Sequence, residues 1–159
     1  RPKAAVRLLG VQGMHSGPEE FIFGLRGLGI DQASVFDAQP RWQDQLVYRM
    51  AGVTPRDIDT LHIYDAFSPQ LLWVLERFGF CKPGEAADWI QDGRIELGGE
   101  LPVNTSGGHL SEGQLNGWGQ IYEIITQLRG EAGARQVKDV KLAQWATTIG
   151  DSIIFSCDG

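Results

Sequence analysis

The sequence has few cysteines, no excess of basic residues and no long hydrophobic run. Its two cysteines, Cys81 and Cys157, lack the spacing of a metal site, so we expect reduced thiols, no metal and a cytoplasmic protein. With 20 acidic against 14 basic side chains the formal net charge is −6, which argues against nucleic acid as the main partner. No apolar run reaches the length of a membrane span and no signal-peptide pattern opens the chain, so a membrane span is not expected.

What is present is the composition of a globular protein. Of the 159 residues, 42% are hydrophobic and 21% are charged, which predicts a single domain over residues 1–159 with its own core. The chain starts at Arg1 and not at a methionine, which indicates a fragment or a processed piece. A complete short protein that works with a separate chain is the alternative.

The most strongly patterned stretch runs from Val103 to Gly130. A polar segment, Asn104–Gly108 (the glycine turn), leads into a helical pattern that Gly130 ends. A glycine pair before a helix is common in plain turns, but it also lets a substrate approach backbone N–H groups, so both interpretations stay open. The apolar stripe predicted for the helix comprises Trp118, Ile121, Tyr122, Ile125 and Leu128.

The rest of the chain alternates between strand and helix patterns. They predict strands at 4–11, 58–63, 142–149 and 152–157, helices at 14–29, 37–52 and 71–80, a loop-rich segment at 80–102 and a turn at 131–138. This order favours an α/β fold with an antiparallel finish. Ligands in such folds sit beyond the carboxyl ends of strands, so residues 64–67 and 104–114 are expected to meet at one rim.

Three motifs at these separations resemble the C-terminal half of thiolase-superfamily proteins. They are DIDTLHIYDAF at 57–67, VNTSGG at 103–108 and QLRGEAGARQV at 127–137. Within the superfamily the chain is most similar to sterol-carrier-protein-type thiolases and to lipid-transfer-protein-like aldolases that degrade steroid side chains. The resemblance implies a thiolase-like C-terminal domain, an α/β fold with a mixed five-stranded sheet covered by helices, with the N-terminal thiolase half absent from this chain.

Three departures from the thiolase pattern argue against cysteine-based thiolysis. Tyr64 replaces the asparagine that helps to form the family's oxyanion hole, Gln114 replaces its histidine, and residues 146–150 contain no cysteine. Thiolysis needs an activated thiolate and an acid–base group, and neither is visible in the sequence. An acyltransferase subunit whose nucleophilic cysteine lies on another segment remains an alternative.

The similar aldolases also carry tyrosine at the position of Tyr64, so the resemblance implies retro-aldol cleavage of a bulky or sterol-derived 3-hydroxyacyl-CoA. Tyr64 would exchange the hydroxyl proton, His109 would take part in acid–base chemistry, and Gln114 would orient the substrate. Backbone N–H groups of Gly107 and Gly108 would stabilise the enolate oxygen. Further substrate contacts are assigned to Asn104, Asp65 and Phe67. No cofactor is expected beyond the coenzyme A thioester that serves as substrate.

Each assignment has a structural alternative. Tyr64 could be an aromatic lid, His109 and Gln114 surface residues, and His62 a core or interface histidine. The whole chain would then be a non-catalytic acyl-CoA-binding, lipid-binding or scaffold module. In either case the expected partner is an N-terminal thiolase half or another copy of the chain, since an isolated half exposes an apolar face. The resemblance adds a zinc-ribbon and oligonucleotide-fold subunit that holds the CoA substrate.

Overall fold

The computed structural model describes residues 5–12 and 46–157. The helix predicted at 14–29 and the first part of the one predicted at 37–52 lie outside the described residues. Within the described part no helix is long and apolar enough to cross a membrane. The elements in chain order are β1 (Val6–Gln12), α1 (Leu46–Ala51), a 3-10 turn (Pro55–Asp57), β2 (Thr60–Ile63), α2 (Gln70–Arg77), α3 (Ala86–Trp89), α4 (Gly108–Glu112), α5 (Trp118–Leu128), a second 3-10 turn (Gly133–Arg135), β3 (Leu142–Ala146) and β4 (Ser152–Cys157).

The four strands form one mixed sheet in the order β1-β4-β3-β2. β2 and β3 are parallel, with Thr60 opposite Ala143 and Ile63 opposite Ala146, while β4 is antiparallel to both β3 and β1. The predicted α/β alternation with an antiparallel finish is therefore confirmed. Because β2 and β3 end side by side and β4 begins beside β3, the β2–α2 connection and the β3–β4 loop leave the sheet at the same rim.

The sheet has four strands in the described residues, so the expectation of five is wrong for this part of the chain. A fifth strand begins beside β2 but is reduced to a single bridge between Leu61 and Val103. The next residue, Asn104, has a φ of 46°, and this left-handed conformation turns the backbone away from β2. Its side-chain amide then pairs with the backbone of Ile63 where a continuing strand would have paired.

Two apolar layers cover the two faces of the sheet. β2 shows the two-residue period of a strand, because Leu61 and Ile63 pack toward α1 and α2 while Thr60 and His62 face the other side. The layer on that other side is built on α5 and includes Ile121, Ile124 and Phe155. The site described below lies at the rim between β2 and α5.

The helical pattern after the glycine turn forms two helices and not one. α4 ends before Gly113, whose φ is 97°, and α5 begins after Gly117, whose φ is 90°. The predicted stripe is also partly wrong, because Tyr122 is 63% exposed while Ile124, absent from that stripe, is fully buried. β4 has the predicted bounds, Ser152–Cys157, whereas β2 and β3 are shorter than predicted, with β3 ending at Ala146.

Candidate active site

The end of β2 and the glycine turn are in direct contact, as the sequence predicted. The backbone N–H of His109 donates to Asp65 Oδ1 at 2.8 Å, although the two residues are 44 positions apart. Asp65 is 7% exposed and also accepts a hydrogen bond from Gln120 Nε2 at 3.2 Å. The Asp65 carboxylate therefore joins the end of β2 to the start of α4 and to α5.

Gly108 lies between the two loops, where no other residue fits. Its φ is 65°, and a Cβ built there would overlap the Asp65 carboxylate and lie 2.6 Å from Asn104 Nδ2. Both the left-handed backbone and the close approach require glycine. The second glycine of the pair is thus needed for the two loops to touch.

Asn104 attaches the glycine turn to β2. Its Oδ1 accepts from the Ile63 N–H at 2.7 Å, and its Nδ2 donates to the Ile63 carbonyl at 3.2 Å. Its backbone carbonyl accepts the N–H of Gly107 at 2.8 Å, which closes the turn. The amide of Asn104 and the N–H of Gly107, both predicted to meet the substrate, are therefore engaged within the protein.

The rings of Tyr64 and His109 contact each other edge to face at the rim. Their ring centroids are 4.3 Å apart at an interplanar angle of 62°. His109 Nδ1 lies 3.3 Å from the carbonyl of Gly113, and because a carbonyl only accepts, this contact assigns the ring proton to Nδ1. Nε2 is then the basic nitrogen, and within the described residues it is buried without a hydrogen-bond partner.

The loop from β3 to β4 is the third component of the rim. Tyr64 N–H donates to the carbonyl of Ala146 at 2.9 Å, so this loop starts beside the tyrosine. Thr147 holds it closed through paired bonds with Asp151, and Thr148 accepts a bond from Gln70 Nε2 at 3.5 Å. These hydroxyl residues occupy the segment in which the thiolase pattern would carry a cysteine.

The other predicted site residues lie outside this cluster. Gln114 is exposed in the loop between α4 and α5, and Phe67 is 69% exposed. Exposed apolar side chains recur around the rim, in the β2–α2 connection, in α4, in the α4–α5 loop and in the β3–β4 loop. They are Phe67, Leu110, Leu115 and Ile149.

Sequence analysis missed a row of buried polar residues along α5, which we call the polar stripe: Gln120, Glu123 and Gln127. All three are at most 2% exposed. Gln120 bonds to Asp65, Glu123 accepts from Thr105 Oγ1 at 2.8 Å, and Gln127 Nε2 donates to Thr105 Oγ1 at 3.0 Å. The signal in the sequence was their spacing of three and four residues, which puts them on one face of the helix beside the apolar stripe.

His62 is fully buried, which confirms its assignment as a core histidine. Burial lowers the pKa of His62 to about 4, against a smaller upward effect from the negative charge of Glu123. Burial by itself raises the pKa of Glu123, but hydrogen bonds from Arg135, Thr105 and Gln127 outweigh burial and leave that pKa below its usual value. At neutral pH a neutral histidine therefore faces a charged carboxylate under the site.

The two cysteines lie away from the rim. Cys157 is at the opposite end of the sheet, where its Sγ contacts the carbonyl of Val140 at 3.6 Å. Burial, together with Glu76 and Glu85, raises the pKa of the Cys81 thiol to about 11. In residues 5–12 and 46–157 no group of three or more His, Cys, Asp or Glu is placed to hold a metal ion.

A groove of about 1320 Å³ lies on the α2–α3 side of the molecule. It is lined by aromatic and aliphatic side chains such as Phe80, Trp89 and Leu101, and its charged residues include both signs. It contains none of the predicted site residues. The Tyr64–His109 cluster remains the candidate active site, because it lies at the strand ends where ligands bind in α/β folds and contains the residues of the sequence motifs.

Comparisons with known proteins agree with the family resemblance seen in the sequence motifs. Residues 41–154 match the family model described as thiolase C-terminal domain-like. The 17-hydroxy-3-oxo-4-pregnene-20-carboxyl-CoA lyase of Mycobacterium tuberculosis is 49% identical over 84 residues, which are 53% of this chain and 22% of the lyase. The steroid side-chain-cleaving aldolase of Thermomonospora curvata is 45% identical over 86 residues, 54% of this chain and 22% of the aldolase.

A solved structure gives the same result at the level of the fold. The Ltp2-ChsH2(DUF35) aldolase matches with a TM-score of 0.67 and 38% identity, over 72% of this chain and 30% of that chain. Human sterol carrier protein 2 is 39% identical over 111 residues, 67% of this chain and 20% of that protein. The chain thus spans only about a fifth of the length of these curated relatives.

Proposed function

Since this chain belongs to the thiolase C-terminal domain-like family, we propose that it carries the acid–base part of an enzyme that cleaves a 3-hydroxyacyl-CoA by a retro-aldol reaction. In that reaction the C3 hydroxyl loses its proton and the C2–C3 bond breaks. C3 becomes a carbonyl, and the bonding electron pair passes to C2 and the thioester oxygen as an enolate. Protonation of C2 then releases the shortened acyl-CoA.

The observation that carries the proposal is the contact between Tyr64 and His109. Both side chains can exchange protons. Their ring centroids lie 4.3 Å apart at the rim where ligands bind in α/β folds. With Nδ1 of His109 directed at the Gly113 carbonyl, Nε2 is the group able to accept a proton. We assign the hydroxyl proton of the substrate to Tyr64 and place the neighbouring His109 in the same acid–base pair.

The enolate oxygen needs a hydrogen-bond donor close to this pair. The N–H of Gly107 closes the turn on Asn104 and the N–H of His109 donates to Asp65, so both are engaged. Within the described residues the N–H of Gly108 makes no such bond, and we assign the oxyanion contact to it. Asp65 and Asn104 support that assignment by fixing the backbone around Gly108.

The positions of the thiols favour this reaction over acyl transfer through a cysteine of this chain. The β3–β4 loop carries Thr147 and Thr148, Cys157 is at the far end of the sheet, and the raised pKa of Cys81 keeps its thiol protonated at neutral pH. An acyltransferase would need its nucleophile from another polypeptide segment.

We assign the whole activity to this chain together with a second thiolase-like half or another copy of the chain. The relatives are about five times as long as the aligned stretch, and the rim loops expose Leu110, Leu115 and Ile149, which such a half would cover. The similar structure has two components in its name, which supports the proposal of a further subunit that takes part in holding the CoA substrate. A bulky, sterol-derived acyl group is the proposed substrate class, because two relatives are named for steroid side chains.

The test is a Tyr64→Phe variant of the intact protein, assayed with a sterol-derived 3-hydroxyacyl-CoA by release of the shortened acyl-CoA. Loss of the phenolic proton should lower kcat by about 10²- to 10⁴-fold, the usual contribution of a general acid or base. The CoA thioester should bind with nearly unchanged affinity, because only the hydroxyl is removed.

Tyr122→Phe is the matched control, since Tyr122 is an exposed tyrosine on α5 and should keep full activity. Unchanged cleavage by Tyr64→Phe would contradict the proposal. Binding of the thioester by the wild type without any turnover would identify a non-catalytic binding module instead.

A further inference from the structure

The glycine turn has an attachment that the proposed chemistry does not use. Thr105, the second residue of the turn, directs its hydroxyl away from the rim and into the layer beneath the sheet. Its Oγ1 donates to Glu123 Oε1 at 2.8 Å and accepts from Gln127 Nε2 at 3.0 Å. The turn is therefore held at one side by Asn104 on β2 and at the other by the polar stripe of α5.

Glu123 is a buried carboxylate that is fully supplied with donors. It is 2% exposed, and its oxygens accept from Thr105, from Gln127 and twice from Arg135, at 3.2 Å from Nε and 2.9 Å from an Nη. Arg135 reaches it from the QLRGEAGARQV motif, and its guanidinium is half exposed. A bidentate arginine fixes the carboxylate in both position and orientation.

A buried carboxylate in an ion pair needs a reason, because replacing both partners of such a pair with well-packed apolar residues is often neutral or stabilising. Its neighbours Ile121, Ile124 and Ile125 show that the layer accepts branched aliphatic side chains. An aliphatic residue at this position could not accept a hydrogen bond from the Thr105 hydroxyl. The directional contact is the feature that the ion pair adds to this layer.

We propose that Glu123, held by Arg135, is a positioning residue that fixes Thr105 and thereby places the Gly108 N–H and His109 against Tyr64. The positioning of Thr105 by Glu123 is argued from the contacts above, whereas the expected effect on kcat rests on the proposed function. Glu123 is too buried to touch substrate, so its loss should lower kcat and leave KM nearly unchanged.

The experiment compares Glu123→Gln with Glu100→Gln in the intact protein. Both changes remove the charge from an arginine–carboxylate pair, but the Arg94–Glu100 pair is exposed and makes none of the hydrogen bonds described for the turn. Hydrogen exchange of the hydrogen-bonded amides of Gly107 and His109 should become about tenfold faster in Glu123→Gln, as expected when a charge-assisted bond is weakened. It should be unchanged in Glu100→Gln. The same Glu123→Gln protein should lose about tenfold in kcat, with KM within about twofold of wild type.

Thr105 gives a second test that does not depend on the folding of a Glu123 variant. Thr105→Ser keeps the hydroxyl and should keep slow exchange of the Gly107 and His109 amides, whereas Thr105→Val should lose it. If exchange at the turn stays slow in Thr105→Val and in Glu123→Gln, the positioning role of Glu123 is refuted. If the wild type does not cleave the thioester, the proposed function fails, but the exchange measurements still test whether Glu123 positions the turn.

Discussion

α5 carries two adjacent buried stripes that do different work. The apolar stripe, which in the structure comprises Ile121, Ile124, Ile125 and Leu128, packs against β3 and β4. The polar stripe, Gln120, Glu123 and Gln127, makes hydrogen bonds to the loops that build the candidate site. Both are equally hidden from water, so burial alone does not tell which of them serves the site.

The two stripes differ in whether their contacts are directional. Apolar contacts stabilise in proportion to the area they bury and tolerate small shifts, whereas a buried hydrogen bond is lost when its partner moves. The apolar stripe should therefore control global stability, and the polar stripe should control the local position of the glycine turn. The following predictions test that division, from the largest expected effect to the smallest.

The largest effect should come from the apolar stripe. Ile124 is fully buried, so Ile124→Ala should lower the free energy of unfolding by about 2–5 kcal/mol through lost burial and a residual cavity. Urea unfolding followed by circular dichroism measures this loss. Below the unfolding transition, local exchange of the Gly107 and His109 amides should stay as slow as in wild type. Faster hydrogen exchange confined to the turn in this variant would contradict the division of roles between the two stripes.

The free energy of unfolding should depend on pH through His62, which lies beside the polar stripe, whereas the apolar stripe contains no group that titrates. His62 stays neutral down to a pKa of about 4 in the folded state, whereas unfolded histidine binds a proton below about pH 6.5. The unfolded state therefore gains protons first, and stability should fall by about 3 kcal/mol as the pH drops from 6.5 to 4. Urea midpoints across this range give the slope.

His62→Leu should flatten the slope in this window because it removes the group that titrates. Ile124→Ala is the matched control and should keep the wild-type slope at lower overall stability. A wild-type slope that persists in His62→Leu would assign the pH dependence to other groups.

The smallest effect should come from the residue that the helical pattern placed in the stripe by mistake. Tyr122 is 63% exposed, so Tyr122→Ala should change the free energy of unfolding by no more than about 0.5 kcal/mol. Thermal unfolding beside Ile124→Ala provides the contrast within one helix. A loss in Tyr122→Ala comparable to that of the buried isoleucine would mean that this face is covered in the intact protein.

Much of the site's framework could be read from the chain. Strand periodicity located β2, turn chemistry located the glycine turn, and the rule for ligand position in α/β folds predicted that Tyr64 and Gly108 belong to loops that meet. The stripe failed at Tyr122 because the buried apolar face of α5 runs through Ile121 and Ile124, and Tyr122 lies about 100° around the helix from Ile121. The fifth strand failed at Asn104, whose left-handed backbone ends the pairing after one residue.

The sequence by itself determined the alternation of elements, the candidate site residues and the family, because periodicity and motif spacing are local properties of the chain. Only the tertiary structure decided which buried polar groups serve the site. Glu123 shares its helix with residues of the core, and its role depends on Thr105 and Arg135, which reach it from separate segments. Such a hydrogen-bonded partnership depends on distances across the fold, and local sequence carries no measure of them.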